Sequence, residues 1–193
     1  MRKARFFLLT LGLFLLLHES FAHAISLGFV PSSQNVVVRN PLDVSIVISG
    51  LVDKGAPSVG TFDLDVLFNP LILDFSSVIF GNQLDLFGLG SITKVTPGGG
   101  RVNLFELSLD LPGDLNNLQT GSFTLATITF DALTGGTSPL TLSVNALGDA
   151  GGNPLAADVS GGSVTAIPEP STLLFLGSGL VGLLMFRKKL LVT

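Results

Sequence analysis

The chain has 193 residues, with 10 Lys and Arg against 14 Asp and Glu, two His, and no Cys, Trp or Tyr. These counts exclude disulfide scaffolds and thiolate metal sites. The formal net charge of −4 argues against a basic nucleic-acid binder. Hydrophobic residues make up 47% of the chain and charged residues 12%, which excludes a disordered polymer.

Taken in chain order, the first segment is a targeting sequence. Arg2, Lys3 and Arg5 precede an apolar run over 6–17, and Ala22-His23-Ala24 follows. A basic start, a short apolar core and a small-x-small exit predict a secretory signal peptide over 1–24. Cleavage is expected after Ala24, with Ala22 as the second choice. The 12-residue run would span about 18 Å as a helix, short of the ~30 Å hydrocarbon core.

Residues 25–166 form the expected domain, with four basic and twelve acidic residues and hence a net charge of −8. Both histidines, His18 and His23, precede it. Residues 25–30 and 44–48 are apolar and rich in β-branched side chains, 62–68 alternates apolar and polar until its last residues, and 140–144 alternates throughout. Two stretches shift phase, 102–109 near Phe105 and 123–130 near Ala126, as a β-bulge would make them do. A final strand is expected over 159–166. Turn residues separate the strands, among them Asn69-Pro70, Gly98-Gly99-Gly100, Pro112-Gly113-Asp114 and Gly151-Gly152-Asn153. No sustained helical period with caps occurs. About nine strands in this length predict an all-β, two-layer sandwich.

With no His or Cys after Ala24, hydroxyl–His and Cys–His catalysis are unavailable, and the domain is expected to be non-enzymatic. Asp63 and Asp65 share one strand face at roughly 6.5–7 Å, near the spacing of inverting glycosidase carboxylates. Alternating Asp on a strand also describes a solvated sheet face, which is the reading preferred. Asp149, Asn153 and Asp158 supply oxygen ligands around a Gly-rich loop and are weak calcium candidates, although Asx and Gly are equally turn residues. Phe80 and Phe87 flank a loop that they either expose or pin with the loop's own apolar residues. No Trp or Tyr platform for sugar stacking is present.

The C-terminal segment, 167–193, holds Pro168-Glu169-Pro170-Ser171-Thr172, an uncharged apolar run over 173–186 and the basic cluster Arg187-Lys188-Lys189. The prolines separate a helix from what precedes it, and Ser171 can cap it. The basic cluster would remain cytoplasmic, placing the domain outside.

These three parts, in order at the end of the chain, resemble the PEP-CTERM sorting signal. The resemblance implies export in a Gram-negative bacterium, transient anchoring in the inner membrane by the C-terminal transmembrane helix, and processing by an exosortase, with signal peptidase as the processing enzyme at the other end. Pro168, Glu169, Pro170 and Ser171 would be recognition residues, with Arg187, Lys188 and Lys189 as the cytoplasmic anchor. The final residues 190–193 extend past the pattern. The domain itself resembles the cohesin fold, a nine-stranded jelly roll. Val30-Pro31-Ser32-Ser33 is similar to its opening strand and turn, 59–75 to its central block with Asn69-Pro70 in place of Asp-Pro, 121–130 and 135–137 to its later strands, and 161–165 to its closing strand. The resemblance implies an adhesion or protein-interaction module at the cell surface or in the extracellular matrix, with a protein or polysaccharide partner. Alternatives are a dockerin-binding cohesin and a calcium-dependent glycan binder.

Overall fold

The computed structural model describes residues 24–169 and 178–180. The expected signal peptide with Ala22, and Pro170, Ser171, Arg187, Lys188, Lys189 and most of the expected C-terminal helix, lie outside these residues. Among the described residues no helix is long and apolar enough to cross a membrane.

Among the described residues of the domain, eleven strands build two facing mixed sheets, joined by one short helix. The strands are β1 (Ser26–Val30), β2 (Ser33–Val37), β3 (Pro41–Ser49), β4 (Val59–Leu67), β5 (Leu73–Phe80), β6 (Ser91–Gly98), β7 (Arg101–Ser108), β8 (Phe123–Ala132), β9 (Gly136–Asp149), β10 (Asp158–Val159) and β11 (Gly162–Ile167). The helix, α1 (Pro112–Leu118), lies between β7 and β8. One sheet has the order β10-β1-β3-β8-β5, the other β2-β11-β9-β4-β7-β6.

The excess over nine strands has a local cause. The first and last chain paths each break and change sheets. The first breaks at Pro31, which lacks an amide hydrogen and follows Val30 through a cis peptide. The last breaks at Ser160-Gly161, after which β11 pairs in parallel with β2. The two ends of the domain are thereby laced together, and Ile167, the last residue of β11, sits beside Val37.

Strand alternation fills the space between the sheets. Phe62, Leu64 and Val66 of β4 and Val102 and Leu104 of β7 face Val44, Ile46 and Ile48 of β3 and Ile128 and Phe130 of β8, all fully buried. Phe68 meets Phe130 edge to face at 5.0 Å between ring centroids. The phase shift expected near Ala126 is present: Ile46 pairs with Ala126 and Val47 with Thr124, leaving Leu125 unpaired and turned inward. The two-residue Gly99-Gly100 turn joins β6 to β7, with Gly100 at φ 80°.

The expected turn at Pro112-Gly113-Asp114 is instead the start of α1. Pro112 occupies the first turn, where its missing N–H costs nothing. Seven residues with one buried side chain, Leu115, are too few for a helical period to emerge from the sequence. Gln119 ends the helix and ties it to the sandwich. Its buried amide accepts from Val59 N (2.6 Å) and donates to Val59 O (3.0 Å) and Gln83 O (3.0 Å), so its polar atoms are paired.

Candidate interaction face

The outer face of the six-stranded sheet assembles residues that the sequence separates. Register across β9, β4, β7 and β6 sets out its rows. Gly148, Thr61, Leu107 and Ile92 form one; Ala146, Asp63, Phe105 and Lys94 the next; Ser143, Asp65, Asn103 and Thr96 the third. One end of the face is apolar, with Ile92 51% and Leu107 37% exposed and Phe105 beside them. Leu109 and Leu111 follow Leu107 along the chain and are also exposed.

The polar rows are held rigid. Asn103 Nδ2 donates to Asp63 Oδ1 (2.5 Å) and to Asp65 Oδ1 (2.9 Å). Asn145, bulged out of β9, donates to Asp63 Oδ1 (3.1 Å), and Arg101 pairs with Asp65 Oδ2 at 3.3 Å. The structure thus brings Asp63 and Asp65 onto one face, as the strand period requires. It also places the Asn103 amide between them, in the space a sugar and a water would need in a glycosidase. The pair is a cross-strand scaffold.

The expected bulge near Phe105 is absent. β7 pairs without interruption with both neighbours from Arg101 to Leu107. Val102, Leu104 and Glu106 therefore point inward, and Asn103, Phe105 and Leu107 point outward. A bulge would have hidden Leu107 and exposed Glu106; the uninterrupted strand does the opposite. Glu106 is 1% exposed. Its Oε1 accepts from Ser91 Oγ (2.6 Å), and Oε2 has no partner among the described residues. Burial pushes its pKa above the ordinary value, the charge of Asp85 adds to that, and the Ser91 hydrogen bond opposes it.

The loop between β5 and β6 closes the sandwich above Glu106. Leu84 plugs it, Asp110 Oδ2 accepts from Leu86 N (2.7 Å) and Asp85 Oδ1 from Gly90 N (2.9 Å). Phe80 is half-buried against Phe62, whereas Phe87 is exposed. The loop is pinned by Leu84 rather than by the two phenylalanines.

Of the calcium candidates, Asp149 and Asn153 share one loop. Asp149 Oδ1 accepts from Gly151 N (2.9 Å) and Asn153 N (2.8 Å), and these bonds, with the Asn153 side chain first among them, lower its pKa. Asp158 stands apart in β10 of the five-stranded sheet, paired with Ser26 of β1. Among the described residues no group of three or more His, Cys, Asp or Glu could hold a metal ion.

The sorting residues within the described range are Pro168 and Glu169, both exposed and directly following β11. Ala24, the expected cleavage residue, is also exposed. Residues 166–189 match the model of the PEP-CTERM protein-sorting motif. The chain carries a PEP-CTERM sorting signal. It is therefore an exported protein sorted to the cell surface. No curated protein matches it in sequence.

The fold that precedes the PEP-CTERM signal is cohesin-like. The sixth cohesin of Acetivibrio cellulolyticus scaffoldin B, solved with a Cel5 dockerin mutant, superposes with a TM-score of 0.61 at 17% identity, over 75% of this chain and 99% of that one. A type I cohesin–dockerin complex from Clostridium thermocellum gives 0.61 at 14% identity, covering 75% and 99%. A non-cellulosomal cohesin from the archaeon Archaeoglobus fulgidus gives 0.58 at 17% identity, covering 79% and 97%.

Proposed function

We propose that this is a non-enzymatic, exosortase-processed surface or extracellular-matrix protein whose sandwich binds a protein partner through the outer face of the six-stranded sheet. The observation that carries the reading is the inversion along β7. Leu107 is exposed and Glu106 buried on an unbroken strand, an arrangement that costs stability in an isolated domain and supplies an apolar contact patch beside a rigid polar pad. The sorting signal supports delivery of that patch to the cell surface. Solved cohesins of the same fold include complexes with dockerins, so a dockerin-like helical module is a second reading of the partner.

Deleting the exosortase gene and following the C-terminal segment by mass spectrometry tests the sorting step. Retention of that segment only in the deletion strain is expected. Equal retention or equal loss in both strains would sink the processing claim. Phe105→Glu on the exported protein tests the face, with loss of partner binding and an unchanged melting temperature as the expected result.

A further inference from the structure

The sorting signal meets the folded domain without a linker. Ile167 O accepts from Val38 N (2.9 Å), so the chain remains hydrogen-bonded up to the residue before Pro168. Pro168 and Glu169 then line a cleft of about 400 Å³ with Val38, Arg39, Leu133 and Gly135. Its walls are the turns β2–β3 and β8–β9, each fixed by main-chain bonds: Arg39 N to Ala132 O (2.7 Å) and Leu133 N to Ile72 O (2.7 Å). Gly135 makes the seat possible, since a Cβ there would lie 2.9 Å from Pro168 Cγ. Arg39, at φ 72°, is one of only four basic residues in the −8 domain and lines the same cleft as Glu169. Leu71, Leu133 and Ile167 are exposed at this end.

Resting on the exosortase reading above, we infer that this end of the sandwich is part of the recognition surface for the sorting enzyme. The domain seats Pro168 and presents Glu169 at the cleft that Arg39 also lines, so enzyme and substrate meet over the cleft rim as well as over the signal. An enzyme that grips Pro168–Glu169 must approach within a few ångströms of the 133–135 turn, because no spacer separates them. The seated conformation also spares the ordering of these residues on binding.

The test is the rate of tail removal from the full-length protein in exosortase-containing cells, for four forms: native, Arg39→Asn, a six-residue Gly-Ser insertion after Ile167, and both together. Asn tolerates the left-handed backbone at position 39, and the melting temperature of the secreted domain checks the fold. The insertion is expected to slow removal about tenfold, the kinetic weight of ordering one residue's backbone at encounter. Arg39→Asn is expected to slow it in the native linkage and to add nothing in the inserted form. Native rates in both single variants would overturn the inference, as would an Arg39→Asn effect undiminished by the insertion. Tail removal that persists in an exosortase deletion strain would instead remove the underlying sorting reading.

Discussion

The outer faces of the two sheets share one core and differ in what they leave unpaired. On the five-stranded sheet the side chains answer one another across strands: Ser26 Oγ with Ser49 Oγ (2.8 Å), Ser45 Oγ with Thr127 Oγ1 (2.9 Å), and Thr129 Oγ1 donating to Asp43 Oδ1 (2.7 Å). These are polar pairs of the kind that suits a sheet facing water, and the exposed Ile79 beside Thr127 on β5 stands singly among them. On the six-stranded sheet polar pairs also form, Thr137 Oγ1 with Thr165 Oγ1 (3.0 Å) and Asn103 with Asp63 and Asp65, but Phe105, Leu107 and Ile92 lie together at one end of the face. The same strand that exposes those side chains buries a carboxylate. A face shaped only for solubility has no use for that exchange, whereas a face shaped for contact does.

Substitutions graded by expected effect can break this contrast. Leu64→Ala removes an inward side chain that serves both sheets, and urea unfolding should show a loss of about 2–5 kcal/mol. A loss no larger than that of Thr96→Ala, an exposed outward residue of β6, would contradict the assignment of faces. Asn103→Ala withdraws the donor shared by Asp63 and Asp65, with an expected loss of about 1–3 kcal/mol. Glu106→Gln probes the buried side by pH. Because burial raises the Glu106 pKa above its ordinary 4.5, its contribution is fully present below that value and is lost as pH rises through the folded-state pKa. Denaturation midpoints measured across that range should therefore turn progressively in favour of the Gln variant as pH increases. A difference constant with pH would refute the account of Glu106. Thr127→Val on the five-stranded face should cost the least, about 0.5 kcal/mol.

How much of this was legible follows from the local pattern. The alternation of β4 and β9 is explicit in the sequence because each strand sends apolar side chains to one core, and the Leu125 bulge announced itself as a phase shift. The same rule misread β7. Val102-Asn103-Leu104-Phe105-Glu106-Leu107 looks like a slipped strand if apolar means buried, and only the unbroken register with β4 and β6 shows that it is not. α1 escaped because a seven-residue helix with one buried position carries no period. Asp63 and Asp65 were legible as neighbours on one face, while their bridging by Asn103 depends on residues 38 and 40 positions away. The sorting signal was readable as contiguous chemistry. The cleft that seats Pro168 was not, because it joins turns distant in the chain.

The central claim is that the six-stranded outer face, and not the other, meets a partner. A photo-crosslinking residue placed at Ile92, and separately at Val47 on the outer face of β3, would be activated on intact cells exporting the protein, and adducts resolved by immunoblot. The account predicts a discrete protein adduct from position 92 that disappears when Phe105→Glu is added, with none from position 47. Adducts from position 47 alone, equal adducts from both positions, or no adduct from position 92 would contradict it.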